Sequence, residues 1–326
     1  MILFTPLYAK CMIFSKRRNL YAIMLLIGII NGFRVMHFRK IILTLFLAII
    51  FSGIKAEAIK IGLETEKKEI KIACSVPAEL YDAHRNVLLY ELKPMFPYQF
   101  KTKGNEITII DRKNDIKLGT NKLLIRTKTP GYLNAKKAWY RGDFYITNWG
   151  GNGMTLINDI PLEDYLKGVV PAEMPSKWNK EALKAQAIAA RSYAVATKNA
   201  GKHGSKGFDL VDTTADQAYG GATAEKETTS QAVDETKGIV LVQNKKVLPT
   251  YYHASSGGQT KVWNSGSSFL QSVPSFDKGT KKNGHGVGMS QHGANNLAAQ
   301  GYNAYQILNY FYKDFKFAKL SDNWDI

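Results

Sequence analysis

Short runs of β-type residues, separated by turns, fill the chain from residue 59 to about residue 160. Each run has four to eight residues and is rich in Ile, Val, Tyr and Thr, a composition typical of strands. Glycine-containing turns, such as KGN at 103–105 and GGNG at 150–153, separate the runs. These features predict a β-rich amino-terminal part, residues 59–150, with small antiparallel sheets. The runs are IKIGL, EIKIACSV, VLLYEL, EITIID, KLLIRT, FYIT and MTLIND.

Helix-forming residues become frequent after residue 160. The run EALKAQAIAARSYAVATK, residues 181–198, predicts about five turns of helix, because Ala, Leu, Lys and Gln all favour helices. Gly201 stands where the C-terminal cap of such a helix is expected. A second helix is predicted over 223–236, and two strands around a polar turn follow it. The sequence therefore predicts an α+β fold, in which a mixed helix and strand part, residues 151–326, follows the β-rich part.

The first 58 residues have the features of an export signal. Two apolar runs, residues 20–33 and 41–54, each follow basic residues, and an A-x-A site ends at Ala58. Residues 36–58 thus have the three regions of a secretory signal peptide, and each apolar run is shorter than the roughly 18 residues of a membrane span. We expect an exported protein of the periplasm or cell envelope. The alternative is an uncleaved segment that anchors the protein in the membrane.

The chain is strongly basic. Its formal net charge is +17, and the first 58 residues contain eight Lys or Arg and one acid, so residues 59–326 carry about +10. A basic surface suits nucleic acid or another anionic polymer. Export argues against nucleic acid as a partner and favours the anionic cell envelope.

Cys74 is the one cysteine after residue 58, so no intramolecular disulfide can form once the export segment is removed. It lies in the strand-like run IKIACSV, where a cysteine is usually a small buried apolar residue. We therefore expect Cys74 in the core and not as a nucleophile.

Glu173 lies between two prolines in the run PAEMP, residues 171–175. Proline fixes its own φ angle, lacks an N–H group and restricts the preceding residue to extended backbone. The sequence therefore predicts a short helix over 162–169 that ends before a rigid turn carrying Glu173. That turn is either a surface turn with an incidental acid or a device that aims one carboxylate into a cleft.

Several familiar site patterns are absent from the sequence. The glycine-rich runs lack the G-x-G-x-x-G of dinucleotide sites, and Ser290 is one residue out of register for the G-x-S-x-G elbow of hydrolases. His285 and His292 are seven residues apart with no cysteine nearby, which is poor spacing for zinc. Neither Cys74 nor Ser290 has a recognisable histidine partner, so a peptidase is poorly supported. We expect neither a metal nor a cofactor.

Glycoside hydrolysis usually requires two carboxylates. The other acids considered are Glu163, Asp164, Asp212 and Asp216, and we expect them in solvated or capping roles. One acid is enough when the sugar supplies its own nucleophile. The C6 hydroxyl of muramic acid can close onto C1 to give a 1,6-anhydro product, so a single glutamate can act first as acid and then as base.

Four separated motifs resemble the domain of stage II sporulation protein D (SpoIID), which is shared with the amidase-enhancer LytB proteins. The first motif is TLINDIPLEDYLKGVVPAEMPSKWNKEALKAQAIAARSYA, and YYHASSGGQT, FLQSVPSFD and GHGVGMSQHGA follow in the same order. Together they span about residues 153–301, and the preceding strands resemble the amino-terminal part of the family.

The resemblance implies a peptidoglycan lytic transglycosylase that acts on glycan strands, in sporulating species preferably on strands without stem peptides. It also implies a substrate cleft in the mixed part, with Glu173 as the catalytic acid. Arg191 corresponds to an arginine that holds a sugar oxygen or tunes the acid. The resemblance assigns substrate-binding positions to Tyr252, Ser255, Ser256, Gly257, Gly258, His285 and Gln291.

Two features depart from the pattern of the family. Members from sporulating species can bind zinc through a cysteine and histidine set, which this chain lacks after residue 58. The segment between Thr260 and His285, residues 261–284, is shorter than the family leads us to expect, which changes one wall of the cleft.

Two functions follow as hypotheses. The first is a transglycosylase that cleaves the MurNAc–GlcNAc bond with Glu173. The second is a non-catalytic glycan-binding protein that stimulates a cell-wall amidase. Both take peptidoglycan glycan strands as the partner and exclude nucleic acid, and contact with a membrane would come only through an uncleaved amino-terminal segment.

Overall fold

The computed structural model describes residues 57–112, 114–264 and 267–320. A compact unit begins at Glu57. The predicted signal peptide lies outside the described residues except for its last two. Within the described part of the chain, no helix is both long enough and apolar enough to cross a membrane.

The described residues form eighteen strands and six α-helices. The strands are β1 Ala58–Lys67, β2 Glu69–Cys74, β3 Ala78–Asp82, β4 Val87–Leu92, β5 Tyr98–Lys103, β6 Glu106–Asp111, β7 Asn114–Lys117, β8 Lys122–Thr127, β9 Leu133–Ala135, β10 Ala138–Tyr140, β11 Asp143–Asn148, β12 Met154–Pro161, β13 Leu210–Val211, β14 Ile239–Gln243, β15 Lys246–Val247, β16 Tyr252–His253, β17 Met289–Ser290 and β18 Lys316–Lys319. The helices are α1 Leu162–Glu173, α2 Lys180–Ala200, α3 Gly221–Ala224, α4 Glu227–Glu235, α5 Gln291–Ala299 and α6 Ala304–Phe311. The predicted α+β fold is confirmed.

The largest sheet joins the two parts of the chain. Its order is β13-β1-β12-β11-β8-β3-β4, and its pairs are antiparallel except for β1 with β13. The residues of β12 from Met154 to Asn158 are all buried. Because successive side chains of a strand point to opposite faces, both faces of β12 are covered. This strand runs directly into α1 and so fixes where that helix begins.

A second sheet has the order β10-β9-β2-β5-β6-β7 and is antiparallel throughout. Ile70, Ile72 and Cys74 alternate with more exposed residues along β2, and all three are buried. The prediction that Cys74 is a core residue is therefore confirmed, and burial raises the pKa of its thiol. Each of the seven predicted β-type runs contains a strand.

Helix α2 is the predicted long helix, and it is almost entirely enclosed. Fourteen of its 21 residues are buried, and six of these are alanines, whose small side chains let neighbouring elements approach closely. The side chain of Asn179 accepts the N–H of Glu181 at the start of the helix, and Gly201 ends it with a left-handed backbone, φ 64°. The predicted glycine cap is confirmed.

Helix α1 is longer than the helix predicted over 162–169, because it continues through Pro171 to Glu173. Proline is tolerated there since it costs only one backbone hydrogen bond near the end of the helix. The N–H of Met174 still bonds to the carbonyl four residues earlier, at 2.9 Å. The extended backbone required before Pro175 falls on Met174, with φ −126° and ψ 141°. The expected rigid turn at Glu173 is therefore wrong: Glu173 is the last residue of a helix that stops sharply.

A buried ion pair joins α1 to α2. The guanidinium of Arg191, which is fully buried, donates from Nε and Nη2 to the two carboxylate oxygens of Glu163 at 2.9 and 2.7 Å. Its remaining N–H groups reach the carbonyl oxygens of Val233 and Ile239, both at 3.2 Å. The carboxylate also accepts the N–H of Gly238 at 3.0 Å. The pair therefore fixes α1 and α2 to α4 and to the start of β14.

Replacing Glu163 with Ala should destabilise the protein strongly, because it leaves the Arg191 guanidinium buried without its carboxylate. We expect the free energy of unfolding, measured by urea denaturation, to fall by about 3 kcal/mol. Glu235→Ala is the matched control, since Glu235 pairs with Lys180 and Lys184 in a more exposed setting, with a side chain 42% exposed. The control should lose less than about 1 kcal/mol. Equal losses in the two variants would contradict the structural role of the buried pair.

Candidate active site

A cavity of about 370 Å³ lies at the carboxyl end of α1. This volume lies in the range of sites for small molecules or single units of a polymer. Four of the predicted site residues line it together, namely Glu173, Tyr252, His285 and Gln291. The other lining residues are Tyr193, Thr214, Ala215, Asp216, Tyr251, His253, Ala254, Asn283 and Gly284.

The carboxylate of Glu173 is partly buried and held by three neutral donors. The N–H of Ala218 donates to Oε1 at 2.8 Å, and the side-chain amide of Gln291 lies 3.4 Å from Oε2. The hydroxyl of Tyr252 supplies a third hydrogen bond. Burial raises the pKa of Glu173 above its ordinary value, and these three bonds offset part of the rise. The site thus favours the protonated acid more than water does.

The phenol of Tyr252 is oriented by a buried amide. Gln217 donates from Nε2 to the Tyr252 oxygen at 2.9 Å and to the carbonyl of Ala190 at 3.2 Å, while its Oε1 accepts from Tyr165 at 3.2 Å. With its oxygen accepting from Gln217, Tyr252 has its own hydrogen available for Glu173. Burial and the nearby Glu173 carboxylate raise the pKa of Tyr252 well above its ordinary value, so it remains a donor.

A short parallel pair, β16 with β17, brings Tyr252 and Gln291 to the same cavity. Glycine makes this pairing possible. At Gly288, where φ is +71°, an added Cβ would lie 2.0 Å from the carbonyl oxygen of Tyr251. Gln291 begins α5 directly after this close approach, and so its amide reaches the end of α1.

His285 lines the cavity but is engaged with the protein backbone. Its Nδ1 accepts the N–H of Val287 at 3.0 Å, and the ring also bonds to the backbone of Tyr252. The ring meets Tyr251 edge-on, with centroids 5.9 Å apart. Burial lowers the pKa of His285, so the imidazole is neutral at pH 7. It shapes the wall of the cavity and carries no charge to it.

Asp216 is a second acid in the cavity, and it was expected in a solvated or capping role. That expectation is wrong, because its side chain is fully buried and bonded to Lys202, at 2.5 Å, and to His203, at 2.8 Å. It also accepts the N–H of Val211 at 2.8 Å and faces the hydroxyl of Tyr193 at 3.4 Å. Asp216 is thus committed to an internal network. Asp212 is likewise buried and paired with Lys136, at 2.5 Å.

Ser255, Ser256, Gly257 and Gly258 do not line the cavity, contrary to the expected substrate-binding role. They turn around the buried carboxylate of Asp277, which accepts the N–H of Ser256 at 2.6 Å and the N–H of Gly258 at 2.7 Å. The positive φ angles of the two glycines, 71° and 117°, permit this tight turn.

Two hydroxyls complete the shell around Asp277, from Ser275 at 2.5 Å and Ser290 at 2.6 Å. Burial alone would raise the pKa of Asp277, but its four hydrogen bonds hold that pKa below the ordinary value. Ser290 is also the N-cap of α5, which begins with Gln291. The turn and its acid therefore support the cavity from behind.

Arg191 is a further predicted site residue that is not among the described residues that line the cavity. Its guanidinium is bonded to Glu163 and to backbone carbonyls. The expectation that Arg191 holds a sugar oxygen is therefore corrected. Its effect on Glu173 is indirect, because it fixes α1, the helix that ends in that acid.

The described residues contain no group of three or more His, Cys, Asp or Glu side chains that could hold a metal ion. Sequence reasoning missed Asp216, Gln217 and Asp277 as parts of the site. Asp216 was considered only as an acid in a solvated or capping role, and no sequence pattern marked Gln217. Asp277 ends the motif FLQSVPSFD, but its role could not be predicted, since its four donors come from three segments of the chain.

Glu173→Gln should stabilise the folded protein at about pH 8 and change it little at about pH 4. The raised pKa means that the folded state binds the Glu173 proton more tightly than the unfolded state. The free energy of unfolding therefore falls as pH rises from 4.5, the ordinary pKa of a glutamate, through the pKa of Glu173 in the folded state. Glutamine does not titrate, so the variant does not show this fall. Thermal unfolding at the two pH values measures the effect.

Glu181→Gln is the opposite-sign control for this measurement. Bonds from Lys184 and from the N–H of Ala304 outweigh burial and lower the pKa of Glu181. Its replacement should therefore destabilise the protein at about pH 8. A lower melting temperature for Glu173→Gln at that pH would contradict the environment described for Glu173.

Comparison with known proteins identifies relatives for part of the chain. A family model described as "SpoIID: Stage II sporulation protein" matches residues 150–243, a range that includes Glu173, Asp216 and Gln217. The amidase enhancer of Bacillus subtilis is 46% identical over 109 residues, which are 32% of this chain and 14% of that protein. Stage II sporulation protein D of Bacillus subtilis is 33% identical over 144 residues, which are 39% of this chain and 42% of that protein.

An uncharacterized protein of Brachyspira hyodysenteriae is 45% identical over 109 residues, which are 33% of this chain and 29% of that protein. The chain thus spans less than half the length of each of these relatives. The matched family range covers α1, α2 and the loop of Asp216, the elements that place the carboxylates of the cavity. Over residues 150–243 the chain is therefore similar to the stage II sporulation protein family, SpoIID.

Proposed function

We propose that this protein is a peptidoglycan lytic transglycosylase that cleaves the MurNAc–GlcNAc bond with Glu173. The protonated carboxyl gives its proton to the glycosidic oxygen as the bond from that oxygen to C1 of MurNAc breaks. The C6 hydroxyl of the same MurNAc then bonds to C1 and loses its proton to the Glu173 carboxylate. The product is a 1,6-anhydro-MurNAc end, no water is consumed, and the enzyme recovers its proton.

The observation that carries this proposal is a single acid with a raised pKa in a cavity whose other acid is already engaged. Burial favours the protonated form of Glu173, as a general acid requires. Asp216 is bonded to Lys202 and His203, so it is poorly placed to serve as a second catalytic carboxylate. One acid supports a reaction in which the sugar supplies the nucleophile better than it supports hydrolysis.

The neutral groups around Glu173 suit an acid that must also act as a base. Tyr252, Gln291 and the N–H of Ala218 stabilise the carboxylate that forms after proton transfer, without a full positive charge that would lock it in that form. The names of two relatives, an amidase enhancer and a sporulation protein, support a role in the cell wall. We further propose that the protein is exported and works in the cell envelope, where its basic surface suits an anionic wall.

A second candidate function is stimulation of a cell-wall amidase by a protein that binds glycan without cleaving it. The 46% identity to a protein named amidase enhancer favours this reading. In this case Glu173 would contribute to sugar binding alone. The two functions differ in what Glu173→Gln does, because a binding role does not need a transferable proton.

Glu173→Gln should lower the rate of anhydro-product formation by at least about a hundred-fold, since glutamine cannot transfer the proton. The purified protein is incubated with glycan strands with and without stem peptides, and the fragments are analysed by mass spectrometry. An anhydro end is lighter by one water than a hydrolysed end, so the same spectra separate the two reactions. Hydrolysed ends, or anhydro ends that persist in Glu173→Gln, would contradict the proposal.

Glu91→Gln is the control for this experiment, because Glu91 lies on β4 with its side chain 64% exposed. It should leave the rate unchanged. If wild type and Glu173→Gln both bind glycan and both stimulate an amidase while neither yields anhydro ends, the second candidate function is supported instead.

Gln291→Met should move the alkaline limb of the kcat/KM profile to higher pH. Gln291 stabilises the ionised form of Glu173, so its removal raises the pKa of that acid further. The acid stays protonated to higher pH, and kcat/KM in the free enzyme follows it. Gln300→Met, at the exposed end of α5, is the control and should leave the limb in place. A limb that is unmoved in Gln291→Met would mean that another group sets it.

A further inference from the structure

An exposed tryptophan borders the cavity of Glu173. Trp263 is 51% exposed, and its ring stacks on that of Tyr251 with centroids 4.6 Å apart and planes 14° apart. Tyr251 covers one face of the indole, and about half of the tryptophan remains exposed. Tyr251 in turn lines the Glu173 cavity and meets His285 edge-on. The aromatic surface therefore continues out of the cavity.

A second cavity, also of about 370 Å³, shares Tyr251 with the first. None of the described residues that line it carries a charge, although the chain as a whole is strongly basic. The walls combine apolar surface with amide and hydroxyl groups. They are formed by Gln243, Leu248, Pro249, Tyr251, Trp263, Asn264, Ser267, Ser268, Phe269 and Leu270.

This combination matches the surface of a pyranose ring. The ring has faces of C–H groups, which carry a partial positive charge and suit the negative face of an indole. Its rim has hydroxyl and acetamido groups, which hydrogen-bond to neutral amides and hydroxyls. A stem peptide, like the lactyl group of MurNAc, would bring a carboxylate that the described lining has no cation to meet, whereas a GlcNAc unit is neutral. The chemistry therefore favours sugar over peptide.

Tyr251 and Trp263 are held in place before any ligand arrives. The carbonyl of Tyr251 accepts the N–H of Met289 at 3.1 Å and the hydroxyl of Tyr312 at 2.8 Å. Two residues before Trp263, the N–H of Lys261 donates to the carbonyl of Gly286 at 2.7 Å. With its backbone fixed near this point and its ring stacked on Tyr251, Trp263 loses less conformational entropy on binding than a free side chain would.

We propose that Trp263 and the second cavity form an additional sugar subsite. Its occupant is a further saccharide unit of the same glycan strand whose scissile bond lies at Glu173. Tyr251 lines both cavities, so they lie next to each other, as binding of neighbouring units of one glycan strand requires. Trp263 belongs to the short segment 261–284, so this segment supplies a binding wall of its own. That the bound polymer is a peptidoglycan glycan strand rests on the proposed function.

The test measures how Trp263→Ala changes binding of short and long probes. The Glu173→Gln protein is titrated calorimetrically with a disaccharide and with a hexasaccharide of the GlcNAc–MurNAc repeat, so that neither is cleaved. Adding Trp263→Ala should weaken hexasaccharide binding by about ten-fold and disaccharide binding by less than about two-fold. Trp263→Phe keeps a stacking ring and should stay within about three-fold of the parent for both probes.

Trp149→Ala is the matched control, because Trp149 is 45% exposed and lies outside both cavities. It should change neither affinity. The subsite is overturned if Trp263→Ala leaves hexasaccharide binding unchanged. It is also overturned if this change weakens hexasaccharide binding no more than it weakens disaccharide binding. Failure of the proposed function gives a different result, since the wild-type protein would then produce no anhydro ends. A hexasaccharide affinity that depends on Trp263 would still support the subsite in that case.

Discussion

The geometry of the cavity depends on a carboxylate that does not face it. Asp277 accepts backbone N–H groups from the turn after β16 and hydroxyls from Ser275 and Ser290. The turn after β16 follows Tyr252 in the chain, and Ser290 directly precedes Gln291. One buried acid therefore links the two walls of the cavity that meet Glu173. Charge-assisted hydrogen bonds of this kind are strong when they are buried. The residues that face into the cavity are thus positioned by hydrogen bonds that lie behind its walls.

Glu173 and Asp277 show how the same functional group acquires opposite properties. Both are removed from water, which by itself disfavours the charged form. Asp277 has four short donors and remains ionised, whereas Glu173 has one short donor, one at 3.4 Å and a phenol, so burial dominates. A buried acid that resists ionisation costs stability at neutral pH. Such a cost is consistent with the proton-transfer role proposed for Glu173.

Much of the backbone could be predicted from the sequence, because helices, strands and caps depend on neighbouring residues. The helix α2 with its Gly201 cap and the strand around Cys74 follow from local patterns, and two prolines marked Glu173. Partners distant in sequence could not be predicted. Arg191 faces Glu163 instead of a ligand, and Asp216 meets Lys202 and His203, because the fold brings these charges together. The family resemblance pointed to Tyr252 and Gln291, which line the cavity of Glu173, yet it could not show that the neighbouring serine–glycine turn faces Asp277.

The position of β1 in the largest sheet has a consequence for how the chain folds. Ile61 pairs with Asn158 of β12 on one side and with Leu210 of β13 on the other, so the first strand has no sheet partner until much of the chain has been made. Closing such long loops carries an entropic cost before any contact compensates it, and topologies of this kind fold slowly. The nascent β1 strand therefore has no partner in this sheet until β12, residues 154–161, has been made, and its second edge stays unpaired until β13 follows.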